Sequence, residues 1–249
     1  MTKIKLKENI TKIEQLLNSD SYESGIQLLI TMNDQKLNNG LADIIQNTLG
    51  KKYFQDNRSK EGLETLSLLC PNLTTMNLYR CESLTNIDVI SEFTDLTSLS
   101  LSCYEIKNID SIAKCKNITT LSLSCCYELQ KLGGLINLTN LTSIDLNWCV
   151  SLLKVDDLAN LKNLTTLSLH CCYKLHDLNG LSNLKHLKNL DLSGCKSIQN
   201  MDILCNLPNL SSLNLDGCVK AQPVPTITKM TSRKEVATYQ KQIKKFKVN

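Results

Sequence analysis

Residues with the chemistry of catalysis or ligation fall close together in this 249-residue chain. Ser193, His170 and Asp145 or Asp191 are the types that make a nucleophile, a general base and its orienting carboxylate. Cys103, Cys125 and Cys171, taken with His170, are the types that hold zinc. Neither set has the context to complete it. An open polar strand surface offers no oxyanion hole and no pocket that excludes water. The sequence contains no CxxC pair, and adjacent cysteines such as Cys125 and Cys126 in an extended segment face opposite ways. An enzyme, a metal site and a cofactor are therefore not expected. Trp148, the single tryptophan, is a different candidate, because a large amphipathic ring suits a binding contact better than a reaction.

What positions these residues is a repeat. Aligned on the first apolar position, the copies start at Leu73, Leu96, Ile118, Leu141, Leu164, Leu187 and Leu210, with spacings of 23, 22, 23, 23, 23 and 23 residues. A fixed period over so many starts means a solenoid, since one copy cannot bury its apolar ladder alone and stacked copies can. Within a copy the fourth and sixth positions have strand spacing, so they point inward while the third, fifth and seventh point outward. Later apolar positions recur every three residues, which suits short, tight 3-10 turns. The ninth position reads Cys81, Tyr104, Cys126, Cys149, Cys172, Cys195 and Cys218, which places Tyr104 inward in the 22-residue copy and Cys103 outward. Inward cysteines behave as small apolar groups with a weak S–H donor for nearby carbonyls.

Written as LxxLxLxxCxxLxxLxxLxxL over about residues 63–221, this pattern resembles leucine-rich repeat proteins. Cysteine at the ninth position is similar to the class found in F-box proteins, plant immune receptors and bacterial repeat proteins, and CPNLTTMNLYRC at 70–81 resembles the F-box type closely. The resemblance implies an α/β solenoid with a curved parallel β-sheet on the concave side and short helices or 3-10 turns on the convex side. It also implies a protein partner bound on exposed concave positions. Mapped onto this chain, those positions give Tyr79, Arg80, Asp145, Asn147, Trp148, His170, Asp191 and Asp216 as partner-binding candidates. The Ser and Thr residues of the third position, such as Thr75, Ser98 and Thr166, read as soluble, strand-compatible filler.

Composition agrees with that reading. With only 4% aromatic residues the core must be stacked aliphatic side chains, and a net charge of +4 is too small at this length to imply nucleic acid or membrane. The first twenty residues lack the apolar core and small-residue cleavage site of a signal peptide, and no run is long and apolar enough to cross a bilayer. A cytoplasmic, reducing location is expected, so the thiols stay free. The Asn-X-Thr triplets at Asn117 and Asn163 are then repeat consensus rather than glycan acceptors.

In chain order, residues 1–62 read as a helical N-terminal cap, with helices within 8–49, followed by a polar linker. Residues 63–222 read as the repeat domain of about seven copies, and 223–249 as a C-terminal capping helix. Leu63, Leu66, Leu68 and Leu69 suggest a helix reaching Cys70 and stopped by Pro71. Ser232 and Glu235 form a capping box before a helix with Val236, Tyr239, Ile243 and Phe246 on one face and Lys241, Lys244, Lys245 and Lys247 in solvent. The function expected is a non-catalytic, monomeric protein-interaction module or scaffold. Two alternatives are a ubiquitin-ligase substrate adaptor, for which residues 1–62 lack a Leu-Pro start or a Trp-bearing motif, and a thiol or metal sensor.

Overall fold

The structure, a computed structural model, describes residues 72–78 and 84–248 together with Leu63, Glu64 and Ser67. The expected N-terminal helices and linker, and the candidates Tyr79, Arg80 and Cys81, lie outside the described residues. Leu63, Glu64 and Ser67 are helical, in keeping with a helix before the first repeat.

Each repeat contributes one short strand: β1 Thr75–Leu78, β2 Ser98–Leu101, β3 Thr120–Ser122, β4 Ser143–Asp145, β5 Thr166–Ser168, β6 Asn189–Asp191 and β7 Ser212–Asn214. They pair in sequence order, all parallel and in the register of the repeat, so that Met76, Leu99, Leu121, Ile144, Leu167, Leu190 and Leu213 form one rung-by-rung column. Every member of that column is buried, as is the sixth-position column from Leu78 to Leu215. Each fully buried Leu contributes roughly 1.5–3 kcal/mol, and none can do so without the repeat on either side. The return limbs are 3-10 turns, at Asp88–Glu92, Asp110–Lys114, Gly133–Leu135, Asp156–Leu158, Asn179–Leu181 and Asp202–Asn206. Gly134 and Gly180 are required there, because a Cβ on either would collide with the carbonyl oxygen of Ile109 or Val155 one repeat back.

The polar side chains between the apolar columns are also stacked. Asn117, Asn140, Asn163 and Asn209 each donate from Nδ2 to a backbone carbonyl of the preceding repeat, at 2.7–3.2 Å. The triplets at Asn117 and Asn163 therefore have a structural use. Thr97, Thr119, Thr142 and Thr165 form a second ladder by donating Oγ1 to the carbonyl of residues 74, 97, 119 and 142.

The 22-residue repeat departs from expectation. Cys103 is fully buried and Tyr104 is only partly so, the reverse of the sequence assignment. The physical reason is the missing residue. In a full-length repeat two residues separate the sixth-position leucine from the inward cysteine, as between Leu123 and Cys126, whereas one separates Leu101 from Cys103. Here strand alternation simply continues through Leu99, Leu101 and Cys103, and all three face the core.

At the C-terminal end, Lys229–Met230 (β8) adds an antiparallel strand to β7, which the sequence did not announce. A helix at Arg233–Val248 follows and buries Val236, Tyr239 and Ile243. Its capping box is formed: Glu235 N donates to Ser232 Oγ at 3.3 Å, and Ser232 N donates to Glu235 Oε2 at 3.0 Å. Phe246 is not on the buried face as expected but 54% exposed, one turn past the last buried contact. Lys247, expected in solvent alone, pairs with Asp202 at 2.9 Å.

Candidate functional site

After each strand the chain must turn from the sheet into the return limb, and the eighth position makes that corner. Among the described residues it is left-handed in five repeats: Cys125 (φ 63°), Trp148 (φ 63°), Cys171 (φ 59°), Gly194 (φ 73°) and Gly217 (φ 70°). The corner points each backbone N–H at the seventh-position carbonyl of the following repeat, from Cys125 to Asn147, Trp148 to His170, Cys171 to Ser193 and Gly194 to Asp216, all at 2.7–2.8 Å. The 22-residue repeat lacks this residue. Two glycines in register, Gly194 and Gly217, are the sequence signal for a positive φ at this position.

The corner sets where Trp148 goes. Its ring meets His170 edge-on at 5.5 Å between centroids and Tyr173 edge-on at 5.9 Å, and 39% of the residue remains exposed. Lys196 Nζ lies 4.9 Å from the centroid of Tyr173, and on the other side of the rim Tyr104 stacks on Tyr127 at 4.7 Å. The Tyr104–Tyr127 contact follows from the short repeat, which places Tyr104 in register with Tyr127.

Inside the rim, hydrogen bonds run across the strands. Asp145 accepts from Asn147 N at 2.9 Å through Oδ1 and from Ser124 Oγ at 2.8 Å through Oδ2. Asn147 Oδ1 accepts from Ser168 Oγ at 2.6 Å and from His170 N at 2.9 Å. Asp191 Oδ1 accepts from both Ser193 N at 2.8 Å and Ser193 Oγ at 2.6 Å, while His170 Nδ1 lies 2.7 Å from Ser193 Oγ. An ionised carboxylate only accepts, so the serine proton goes to Asp191, and His170 must donate from Nδ1 to Ser193 Oγ. Serine thus sits between acid and imidazole, whereas a hydrolase triad needs the imidazole between acid and serine with its base nitrogen free to take the serine proton.

Cys171 Sγ lies 3.2 Å from His170 Nε2 and 3.7 Å from Nδ1. Near-equal distances to the two ring nitrogens put the sulfur beside the ring, off the lone-pair axis of either. The Cys171 thiol also holds the Tyr173 hydroxyl pKa above its ordinary value through a hydrogen bond. Among the described residues no group of three or more His, Cys, Asp or Glu side chains is arranged to hold a metal ion.

The inward cysteines are a separate population. Cys149, Cys172, Cys195 and Cys218 donate to the sixth-position carbonyl of the preceding repeat, at 3.3, 3.2, 3.0 and 3.0 Å. Burial pushes the thiol of Cys126 up to about 11 and that of Cys218 to about 12, and holds that of Cys149 well above its ordinary value. The inward thiols are second donors to these carbonyls, each of which also accepts a backbone N–H from the turn of its own repeat, as Leu123 O does from Cys126 N at 3.3 Å.

Of the expected binding residues, the structure brings Asp145, Asn147, Trp148, His170 and Asp191 into one connected surface. Asp216 lies one repeat beyond Asp191, exposed, with its own N–H bonded to Asn214 Oδ1 at 3.1 Å. Tyr79 and Arg80 are outside the described residues.

No protein-family model matches the chain, and no curated protein matches it. Solved structures do. An internalin (inlF) from Listeria monocytogenes aligns at a TM-score of 0.52 with 24% identity, covering 68% of this chain and 53% of that one. An internalin C2 from the same organism aligns at 0.47 with 23% identity over 72% of this chain and 84% of that one. The leucine-rich repeat domain of the type III effector XopL aligns at 0.44 with 19% identity over 88% and 90%. The chain thus spans about half the length of the first of these. At such identity the first likeness is one of fold, and with the sheet and turn architecture it gives this chain the leucine-rich repeat fold.

Proposed function

We propose that the chain is a non-catalytic, monomeric protein-interaction module that binds a protein partner on the concave face around Trp148, His170 and Asp191, in a reducing, cytoplasmic setting. The observation that carries this reading is the state of Trp148: the chain's only tryptophan occupies a left-handed corner and stands edge-on to two rings with 39% of its surface exposed. A tryptophan placed only to fill a core would be covered. One held rigidly at a rim keeps its contact area with little ordering left to do on binding, which favours affinity.

The surrounding network supports the same reading. Ser124, Asp145, Asn147, Ser168, His170, Ser193 and Asp191 hold one another through side-chain hydrogen bonds, so the surface is preset before a partner arrives. The cytoplasmic setting is supported by the cysteines, whose buried members serve as S–H donors and need to stay reduced. No described helix is long and apolar enough to cross a membrane. A ubiquitin-ligase adaptor role depends on residues 1–62, which lie outside the described residues.

The test is affinity capture from native lysate with the full chain and with a Trp148→Ala, His170→Ala variant shown to fold by its melting profile. The expected outcome is at least one protein retained by the natural chain and lost with the variant. Identical captures from the two would move the binding surface off this face.

A further inference from the structure

We infer that the partner segment received on the concave face is cationic: an arginine- or lysine-bearing stretch of a protein, its charges meeting Asp145, Asp191 and Asp216 and the exposed indole of Trp148. This rests on the reading that the face binds a protein, and adds the chemistry of what it binds.

The first observation is a segregation of charge. The chain carries 28 Lys and Arg against 24 Asp and Glu, so an even distribution would put cations everywhere. Yet the described outward positions of β1 to β7 and the seventh positions after them hold three carboxylates and neither lysine nor arginine. They run Thr75, Asn77, then Ser98, Ser100, Ser102, and on through Asp145, Asp191 and Asp216. The cations lie on the turns, the flanks and the C-terminal helix, where the described ion pairs also form, Lys154 with Asp156 and Lys247 with Asp202, and at the last edge of the sheet, where Lys229 of β8 stands exposed opposite Asn214. Among the described residues no ion pair reaches Asp145, Asp191 or Asp216.

The second observation is that these charges are fixed but uncompensated. Asp145 and Asp191 are half-buried, and their hydrogen-bond donors are a backbone N–H and serine hydroxyls, which orient a carboxylate without neutralising it. A preset anionic face selects partners of opposite charge and repels phosphate-rich ones. Strands β4 and β6 are separated by one strand, so their carboxylates stand about 10 Å apart, a distance that three residues of extended chain span.

The third observation concerns the aromatic rim. Trp148 is held at 86° to His170 and 80° to Tyr173, and one repeat further on Lys196 already sits over the Tyr173 ring. The rim therefore uses a cation over an aromatic face within the chain itself. Trp gives the strongest such contact, and a guanidinium can stack on it while reaching a carboxylate with its planar fork.

Because Trp148 is the only tryptophan, its fluorescence reports this rim alone. The full chain is titrated with hexa-arginine and with hexa-glutamate, at low and high salt, with calorimetry in parallel. The inference expects a saturable fluorescence change with hexa-arginine and none with hexa-glutamate. Binding should weaken about tenfold in Asp145→Asn, Asp191→Asn and at high salt. Asp216→Asn, whose side chain supports no described hydrogen bond, should weaken it about two- to threefold and keeps the test open if the double variant fails to fold. Equal binding of hexa-glutamate, no saturable response to hexa-arginine up to about 1 mM, or unchanged affinity in Asp216→Asn together with the double variant would overturn it. If a captured protein still depends on Trp148 while hexa-arginine gives no response, the binding face stands and its charge preference falls.

Discussion

Two sets of repeats build the same corner from different residues. In the β6 and β7 repeats the left-handed position is Gly194 or Gly217, while in the β3, β4 and β5 repeats it is Cys125, Trp148 or Cys171. The backbone does not distinguish them: the corner N–H reaches the next repeat at 2.8 Å from Trp148 and 2.7 Å from Gly194. Left-handed geometry costs a residue with a Cβ roughly 1–2 kcal/mol and costs glycine nothing comparable. The middle repeats therefore keep side chains where the fold would accept none. The left-handed cost is thus carried by side chains of two kinds, the buried Cys171 and the 39% exposed Trp148.

If the two sets differ only at the corner, damage to the shared inner column should be the same in both. Leu167, beneath the Cys171 corner, and Leu190, beneath Gly194, are 1% and 2% exposed. Replacing either by Ala should cost about 2–5 kcal/mol in chemical denaturation, with closely matched values. A clearly larger loss at Leu167 would show that the corner side chains also brace the core, and the contrast drawn above would narrow.

The inward thiols make a second shared column and give a pH test. Burial raises Cys126, from the set with side chains, to about 11 and Cys218, from the glycine set, to about 12, against an ordinary value of 9.0. A raised folded pKa favours the protonated thiol, so this stabilisation is complete below about pH 9 and is lost as pH rises through 11 to 12. Thermal melts should be flat towards neutral pH and fall steeply above pH 9, by about 3 kcal/mol for the Cys126 shift and up to about 4 kcal/mol for the Cys218 shift. Cys126→Ala and Cys218→Ala should each flatten part of that fall. A Tm that stays level to pH 11 would mean the thiols are not in the column.

The fold was legible because its signal is repeated: one leucine column read wrongly would be corrected by six others. The inward cysteines were legible for the same reason, and their donation to carbonyls followed from burial alone. Cys103 was misread because counting positions assumed a constant spacing from leucine to cysteine, whereas a strand needs only alternation, and the shortened repeat reverted to it. Counting back from Ile106, Ile109 and Ile112 in steps of three would have reached Cys103. The rim was half legible. Trp148 and His170 stood out as residue types, but how Trp148 meets His170 and Tyr173 depends on a left-handed corner that no single repeat declares. β8 was hidden because it borrows its pairing from β7 and carries no repeat pattern of its own.

The sharpest test of the comparison exchanges the corners, and its effects are the smallest. Gly194→Ala adds a Cβ at φ 73° and brings it to 2.8 Å from Cys171 Sγ, so the left-handed cost and a displaced sulfur act together. The expected loss is about 1–2 kcal/mol. Cys125→Gly runs the other way. Relief of the left-handed cost is partly offset by the greater freedom glycine has in the unfolded chain, which leaves a gain of about 0.5–1 kcal/mol. Opposite signs from the two substitutions, read by urea denaturation, would establish that the corner is glycine's by geometry and that Cys125, Trp148 and Cys171 hold it against a cost. A loss in Cys125→Gly as large as that in Gly194→Ala would mean the side chain is itself packing.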